Sequence, residues 1–368
     1  MHAFRGLLRT IGTALPACQR NRKSGTLRRT NSMRVRPMND GPSTALGIGL
    51  VGAGRHGGRY VQHLLHDLPE AALTAICRKT GTGSYPGTDI PVYSDYRAMI
   101  ADPRVEAVVV VTPPSLCHPI CLTAVEAGKA VLIEKPLALN GREARAMVAA
   151  AERRGVLLMT AQTLRFDPTI ALLHKQLPAI GALQSATMTS HIETKANVFA
   201  GERGPVAVGA VLELGVHLLD LVRFLTGQEI LEVQCTTTPL PGTEPETRAR
   251  AHIRTTGGIR CTLDIARVES HRQGAAEWIG TTGTIKADWV ARTLTKTAND
   301  GTSCTWEVEA RPTILATLRA FVQAVRTGSV PPITGLDGCR AVEAADACYR
   351  SAAHGGAVVR CKPEGDDD

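Results

Sequence analysis

Leu46-Gly47-Ile48-Gly49-Leu50-Val51-Gly52-Ala53-Gly54-Arg55-His56-Gly57 decides the fold. The first six residues form an unbroken apolar run of strand length, and helical periodicity begins directly after the last glycine. GxGxxG is a weak pattern by itself, but between a strand and a helix it is the phosphate-binding turn of a dinucleotide fold. Gly52 permits the tight turn, Gly54 lets the backbone approach a pyrophosphate, and Gly57 lets helix and strand pack closely. The free N–H groups and positive dipole end of the helix then meet the phosphates. Arg55 and His56 belong to the same expected contact.

Outward from this turn the alternation continues. Apolar runs at 73–77, 107–111, 130–133 and 157–161 are separated by helical patterns at 58–68, 96–101, 119–127 and 141–154. Strands that are apolar throughout are buried on both faces, the condition of a parallel sheet covered by helices. Residues 45–165 therefore read as a doubly wound α/β domain of Rossmann type. From 166 to 360 the pattern changes to strand-like segments at 183–193, 230–238, 248–255, 259–268, 277–280 and 305–309, several alternating with period two. Helices are expected at 312–327 and 336–353, and residues 361–368 form an acidic tail. This is a second α/β domain with an open, mainly antiparallel sheet. Its broad face is expected to be covered by assembly into a homodimer or homotetramer.

The second strand supplies a cofactor preference. A fold that prefers NAD usually places an acid there, about 20 residues past the glycine turn, against the ribose 2′-hydroxyl. The chain instead reads Ala75-Ile76-Cys77-Arg78-Lys79-Thr80. Two cations suit a 2′-phosphate, and Arg can bind it bidentately, so NADP is expected over NAD.

Composition excludes several classes. The 368 residues are 43% hydrophobic and carry a net charge of +8. All of that excess lies in residues 1–44, where nine basic side chains face one acid, Asp40; the remainder is balanced. The folded body is thus not a nucleic-acid-binding protein by charge. The leader reads as disordered sequence or as the product of an early start codon, with a transit peptide or a basic arm as alternatives. No segment approaches the roughly 18 apolar residues of a membrane span. The ten cysteines are dispersed with no CxxC pair, which suits reduced cytoplasmic thiols. Cys117 and Cys121 stand four residues apart, but no second ligand pair accompanies them, so no metal site is read.

One helix carries candidate chemistry. Residues 212–225 are largely apolar, yet Glu213, His217 and Asp220 fall within an arc of about 60°. An imidazole beside a carboxylate on a buried helix has an environment that tunes its pKa and fixes its tautomer.

Several motifs now stand in one order: the glycine turn, Thr112-Pro113-Pro114, Glu134-Lys135-Pro136, Gln162-Thr163-Leu164-Arg165-Phe166 and Gly215-Val216-His217-Leu218-Leu219-Asp220. In this combination the chain resembles the glucose-fructose oxidoreductase and inositol dehydrogenase family, Gfo/Idh/MocA, from about Leu46 to His354. The resemblance implies an NAD(P)-dependent dehydrogenase or reductase acting on a sugar, polyol or related hydroxy/keto compound. It implies that Lys135 orients the substrate and shares proton transfer with His217, the general base, and that Glu213 is catalytic. Thr112, Pro113, Glu134 and Lys135 join the cofactor contacts, and Arg165 and Asp220 join the substrate side. The bond before Pro136 is often cis in this motif. Where the family commonly has Asp four residues before the histidine, this chain has Glu213, one methylene longer. A non-catalytic NAD(P)-sensing regulator on the same fold is the alternative, although it would need neither Lys135 nor His217. The substrate itself is not legible, because loops such as 193–205 follow no general code.

Because residues before about Thr44 show no packing pattern, protein beginning at Met38 is expected to keep the full chain's melting temperature and dinucleotide affinity. Calorimetry on both forms checks this, and a large loss of either would make the leader part of the fold.

Overall fold

Ile48 and Leu50 are fully buried in β1 (Leu46–Val51), as the unbroken apolar run requires. The computed structural model describes residues 45–80, 83–193, 208–238, 245–268 and 271–361. The leader, most of the 193–205 loop and the acidic tail from 362 lie outside the described residues. After β1 come α1 (Gly57–His66), β2 (Ala71–Cys77), β3 (Gly83–Ser84), β4 (Pro91–Tyr93), α2 (Tyr96–Ala101), β5 (Ala107–Val110), α3 (Pro114–Glu126), β6 (Ala130–Glu134), α4 (Gly141–Arg154) and β7 (Leu158–Ala161). They form one sheet in the order β3-β4-β2-β1-β5-β6-β7, parallel except for the β3–β4 edge pair. The chain leaves β1 toward β2 and returns on its other side at β5, so the carboxyl ends of β1 and β5 mark the topological switch point where such sheets bind ligands.

Then follow α5 (Pro168–Gln176), β8 (Leu183–Glu193), α6 (Val216–Thr226), β9 (Ile230–Thr238), β10 (Arg248–Thr255), β11 (Arg260–Val268), β12 (Gln273–Gly280), β13 (Gly283–Asp288), β14 (Thr293–Ala298), β15 (Ser303–Glu307), α7 (Thr313–Thr327), α8 (Gly335–Ala353) and β16 (Val359–Arg360). The second sheet runs β15-β14-β13-β12-β8-β11-β10-β9-β16, antiparallel but for the β8–β11 pair. Its inner face is apolar: Ala249, Ala251 and Ile253 are buried on β10, and Cys261, Leu263 and Ile265 on β11. The outer face carries Arg248, Arg250, His252 and Arg254 on β10, with Thr187, Gln234 and Arg260 on neighbouring strands, all exposed. That face is hydrated, so it does not require covering in the way an apolar surface would.

Helix α3 starts at Pro114, five residues earlier than Pro119 suggests. Pro114 takes the first helical turn, where no N–H is needed, and Pro119 is tolerated inside, its carbonyl accepting from Thr123 Oγ1 at 2.9 Å. Strands β13 and β14 were not expected, because their exposed positions are Thr- and Lys-rich and only Ile285, Ala287 and Leu294 are buried large or apolar side chains.

Helices α7 and α8 cross back to the first sheet. Ile314, Leu318 and Phe321 of α7 share a core with Ile48, Leu50, Tyr60 and Leu132, so a boundary at 165/166 separates the sheets but not the helices. A buried ion pair stitches the same region. Arg165, in the 3-10 turn Thr163–Phe166, donates from Nε to Asp220 Oδ2 at 2.7 Å and from Nη2 to Asp220 Oδ1 at 2.5 Å. Asp337, which caps α8 together with Thr334, accepts from Arg165 and from Arg223, both at 3.1 Å.

Arg165 and Asp220 are 8% and 1% exposed, and removing Asp220 takes away both short hydrogen bonds of Arg165 and leaves it only the 3.1 Å contact with Asp337. Asp220→Ala is therefore expected to cost about 3 kcal/mol, the lower end for a broken buried pair, in denaturant unfolding. The double variant with Arg165→Leu should recover part of that loss. An Asp220→Ala protein as stable as the parent would show that the pair is hydrated.

Candidate active site

Each glycine of the first turn has its own spatial reason. Gly52 has φ +98°, and a Cβ there would lie 2.2 Å from the Val111 carbonyl oxygen. At Gly57 a Cβ would meet the Gly52 carbonyl oxygen at 1.8 Å. At Gly54 it would meet nothing within 4 Å, which leaves open room above the N-terminus of α1. A tight turn, a close helix and an open cradle at a helix N-terminus fit a dinucleotide pyrophosphate. Thr112 flanks this turn, its Cγ2 3.2 Å from that position at Gly52, and Pro113 caps α3; Arg55 and Lys79 are exposed.

Glu134 ties the turn to the next motif. Its Oε1 accepts from Tyr60 Oη at 2.6 Å and His56 Nε2 at 2.7 Å, and its Oε2 accepts the Lys135 N–H at 3.0 Å. Burial alone would raise the Glu134 pKa, but the His56 and Tyr60 hydrogen bonds and the Lys135 charge outweigh it and hold the carboxyl below its ordinary value. A single anion thus fixes both the glycine turn and the backbone of Lys135. The Lys135–Pro136 bond is cis.

Lys135 reaches across to the second domain, where its Nζ donates to the Glu213 carbonyl oxygen at 2.8 Å. Glu213 lies not on a regular α-helix but in a π-helical turn, Val211–Gly215, that leads into α6. Gly215 lets this turn approach β11, since a Cβ there would lie 3.0 Å from Ile265 Cδ1. The i→i+5 turn changes the phase expected for one continuous helix. As a result Glu213 leaves the expected stripe, its Oε2 accepting from Arg267 Nε at 2.8 Å, while His217 and Asp220 on α6 still share a face and bond Gln162 and Arg165 of one short segment.

His217 has a defined tautomer. Gln162 Nε2 lies 3.5 Å from the Val216 carbonyl oxygen, so its Oε1 faces the imidazole, 3.0 Å from Nδ1. A carbonyl oxygen only accepts; Nδ1 therefore carries the proton, and Nε2 keeps a lone pair for chemistry. Removal from water first, and the Lys135 charge second, hold the His217 pKa well below the usual histidine value, so the ring is neutral at pH 7.

Three of the expected site residues take partners within the protein. Glu213 gives its carboxylate to Arg267, and Arg165 and Asp220 pair with one another in the interior. Arg78 sits at the end of β2 with its Nε buried and without a hydrogen-bond partner, and its guanidinium carbon 5.9 Å from the Tyr85 ring centroid. No role was assigned to Gln162 or Arg267 from the sequence. Gln162 opens the Gln162–Phe166 motif, which was the available signal, and Arg267 occupies an inward position after Cys261, Leu263 and Ile265, where a charge requires a partner. Among the described residues no group of three or more His, Cys, Asp or Glu side chains comes together to hold a metal. Burial pushes the Cys117 and Cys121 thiols up to about 12, which keeps both protonated.

Residues 46–162 match an oxidoreductase family with an NAD-binding Rossmann fold, and residues 178–286 match the GFO/IDH/MocA C-terminal domain. A D-apiose dehydrogenase of Paraburkholderia graminis is 27% identical over 337 residues, which span 84% of this chain and 88% of the relative. An inositol 2-dehydrogenase of Rubrobacter xylanophilus is 26% identical over 325 residues, 84% of this chain and 92% of the relative. Among solved structures, GenD2 from gentamicin A biosynthesis, in complex with NAD, aligns with TM-score 0.74 at 27% identity over 89% of this chain and 99% of its own. Both halves of one family occur here in their proper order, on the two sheets described above, and the chain belongs to the Gfo/Idh/MocA family of oxidoreductases.

Proposed function

We propose that the protein is an NADP-preferring dehydrogenase or reductase that moves a hydride between the nicotinamide and a sugar, polyol or related hydroxy/keto substrate, with Lys135 and His217 as the reacting pair. The observation that carries this is the placement of both groups at one helix start: His217 Nδ1 lies 3.0 Å from Gln162 Oε1, and Lys135 Nζ donates at 2.8 Å to the carbonyl of Glu213, four residues before His217. The bound nicotinamide supplies the hydride acceptor or donor. In the oxidation direction His217 Nε2 takes the hydroxyl proton as the carbon gives up its hydride. Lys135 commits one of its three N–H donors to the Glu213 carbonyl, and the others are available to the reacting oxygen. In reduction the same groups return the proton. The names of the apiose and inositol dehydrogenases support a polyhydroxylated substrate.

The preference for NADP rests on Arg78. A buried donor without a partner at the end of β2 is costly, and a 2′-phosphate would satisfy it. We also infer assembly as a homodimer or homotetramer, with the polar outer face of the second sheet as the contact, which light scattering would test.

A turnover screen of sugars and polyols with both cofactors tests the activity. On the substrate so found, Lys135→Met and His217→Ala are expected to lower turnover by roughly 100-fold or more while leaving dinucleotide affinity nearly unchanged. Because His217 must be neutral to act, and its pKa is lowered, kcat/KM for oxidation should be flat at pH 7 and fall only as pH drops below the ordinary histidine value of about 6.5. Full turnover in both variants would refute the assignment.

Arg78→Asp should shift affinity from NADP toward NAD. The charged hydrogen bonds at stake are worth about 1.5–3 kcal/mol each, or about one to two decades in Kd. Equal binding of NADP and NAD by the unaltered protein, measured by calorimetry, would remove the preference.

A further inference from the structure

The guanidinium of Arg267 is 6% exposed, on the inner face of β11. A buried cation is unfavourable unless fully engaged. Its Nε donates to Glu213 Oε2 at 2.8 Å, its Nη2 contacts the same oxygen, and Nη2 also donates to the Val208 carbonyl at 2.8 Å. The grip therefore spans the chain entering the π turn and the middle of that turn. On the other flank Glu246 Oε1 accepts from the Val211 N–H and from Tyr349 Oη, both at 3.0 Å, and Tyr349 Oη accepts the Leu212 N–H at 3.2 Å. Turns of this kind are rare and occur frequently at functional sites. This one presents the Glu213 carbonyl to the Lys135 ammonium.

We propose that Arg267 is a positioning residue for the hydride-transfer reaction: by clamping the Glu213 side chain it fixes the π turn, and the turn's carbonyl holds the Lys135 ammonium beside His217. The proposal rests on the reading of Lys135 and His217 as the reacting pair. It also accounts for Glu at 213, since the longer acid reaches away from the imidazole to the sheet. The pair is then a bracket for the lysine, and Glu213 transfers no proton.

The test reads Lys135 through His217, without a substrate. Lys135 is the charged neighbour that acts on the imidazole; Gln162 is neutral, and Glu213 and Arg267 offset one another. The His217 ring is titrated by NMR in the full-length protein and in Lys135→Met, Arg267→Gln, Glu213→Gln and Arg267→Lys, with the melting temperature as the check on folding. Lys135→Met should move the His217 titration upward by removing the charge. Arg267→Gln should also move it upward, in part through the Glu213 carboxylate it leaves unpaired, whereas Glu213→Gln leaves a cation that alone would move it down, so an upward shift there isolates release of the ammonium; Arg267→Lys should move it less. On the substrate from the screen, the two Gln variants should lose at least tenfold in kcat with KM for NADP+ unchanged. If Arg267→Gln does not fold, the isosteric Glu213→Gln and the charge-preserving Arg267→Lys decide. Any folded Gln variant that titrates and turns over like the parent overturns the positioning role. A parent-like titration in Lys135→Met would instead strike the pairing of Lys135 with His217.

Discussion

One ammonium spans the seam between the two sheets. Lys135 leaves the carboxyl end of β6 and hydrogen-bonds a backbone carbonyl in the turn that leads into α6. Its backbone is fixed by Glu134, and Glu134 in turn fixes His56 and Tyr60 beside the glycine turn. The glycine turn and the proposed site of proton transfer are therefore tied together through the same few atoms. Orientation at this level is where proteins gain most over free reactants, and small displacements are expensive in rate.

The first domain was readable because its two signals agree. Continuous apolar strands and a glycine turn between strand and helix demand the same architecture, and the order found around β1 is the one they imply. In the second domain, β8, β9 and β10 begin and end where their alternation does, because one face is buried and the other hydrated. Strand β13 does alternate, but its buried positions are Gly283, Ile285 and Ala287, of which only Ile285 is large, and β14 buries Leu294 alone, so neither reads as an apolar stripe. The candidate site was legible in the polar residues of one helix and not in their partners. Glu213, His217 and Asp220 were placed on one regular helix, and an i→i+5 turn, which leaves no trace in residue types, sent Glu213 to Arg267 while His217 and Asp220 kept a common face.

The buried polar groups divide by what they do. Arg165, Asp220 and Asp337 join a 3-10 turn, α6 and α8, and their value lies in specifying one arrangement of these elements. Gln162 acts differently, because a neutral amide can set a tautomer without adding a charge that would raise or lower the imidazole's affinity for its proton. A carboxylate in its place would favour the imidazolium and oppose the effect of Lys135. An uncharged orienting group is thus consistent with the lowered His217 pKa and with the proposed role of His217 as a base.

Helix α7 completes the hydrophobic layer over β1, with Phe321 and Leu318 against Ile48 and Leu50. These partners lie near opposite ends of the chain, so at ribosomal speeds the early strands must wait on the order of tens of seconds before their covering helix is synthesised. During that interval α1, through Tyr60, Val61 and Leu64, is the early cover of this sheet face, and the rest of the layer waits for α7. Completion of the first core is therefore a long-range event in the sequence, although its strands are local.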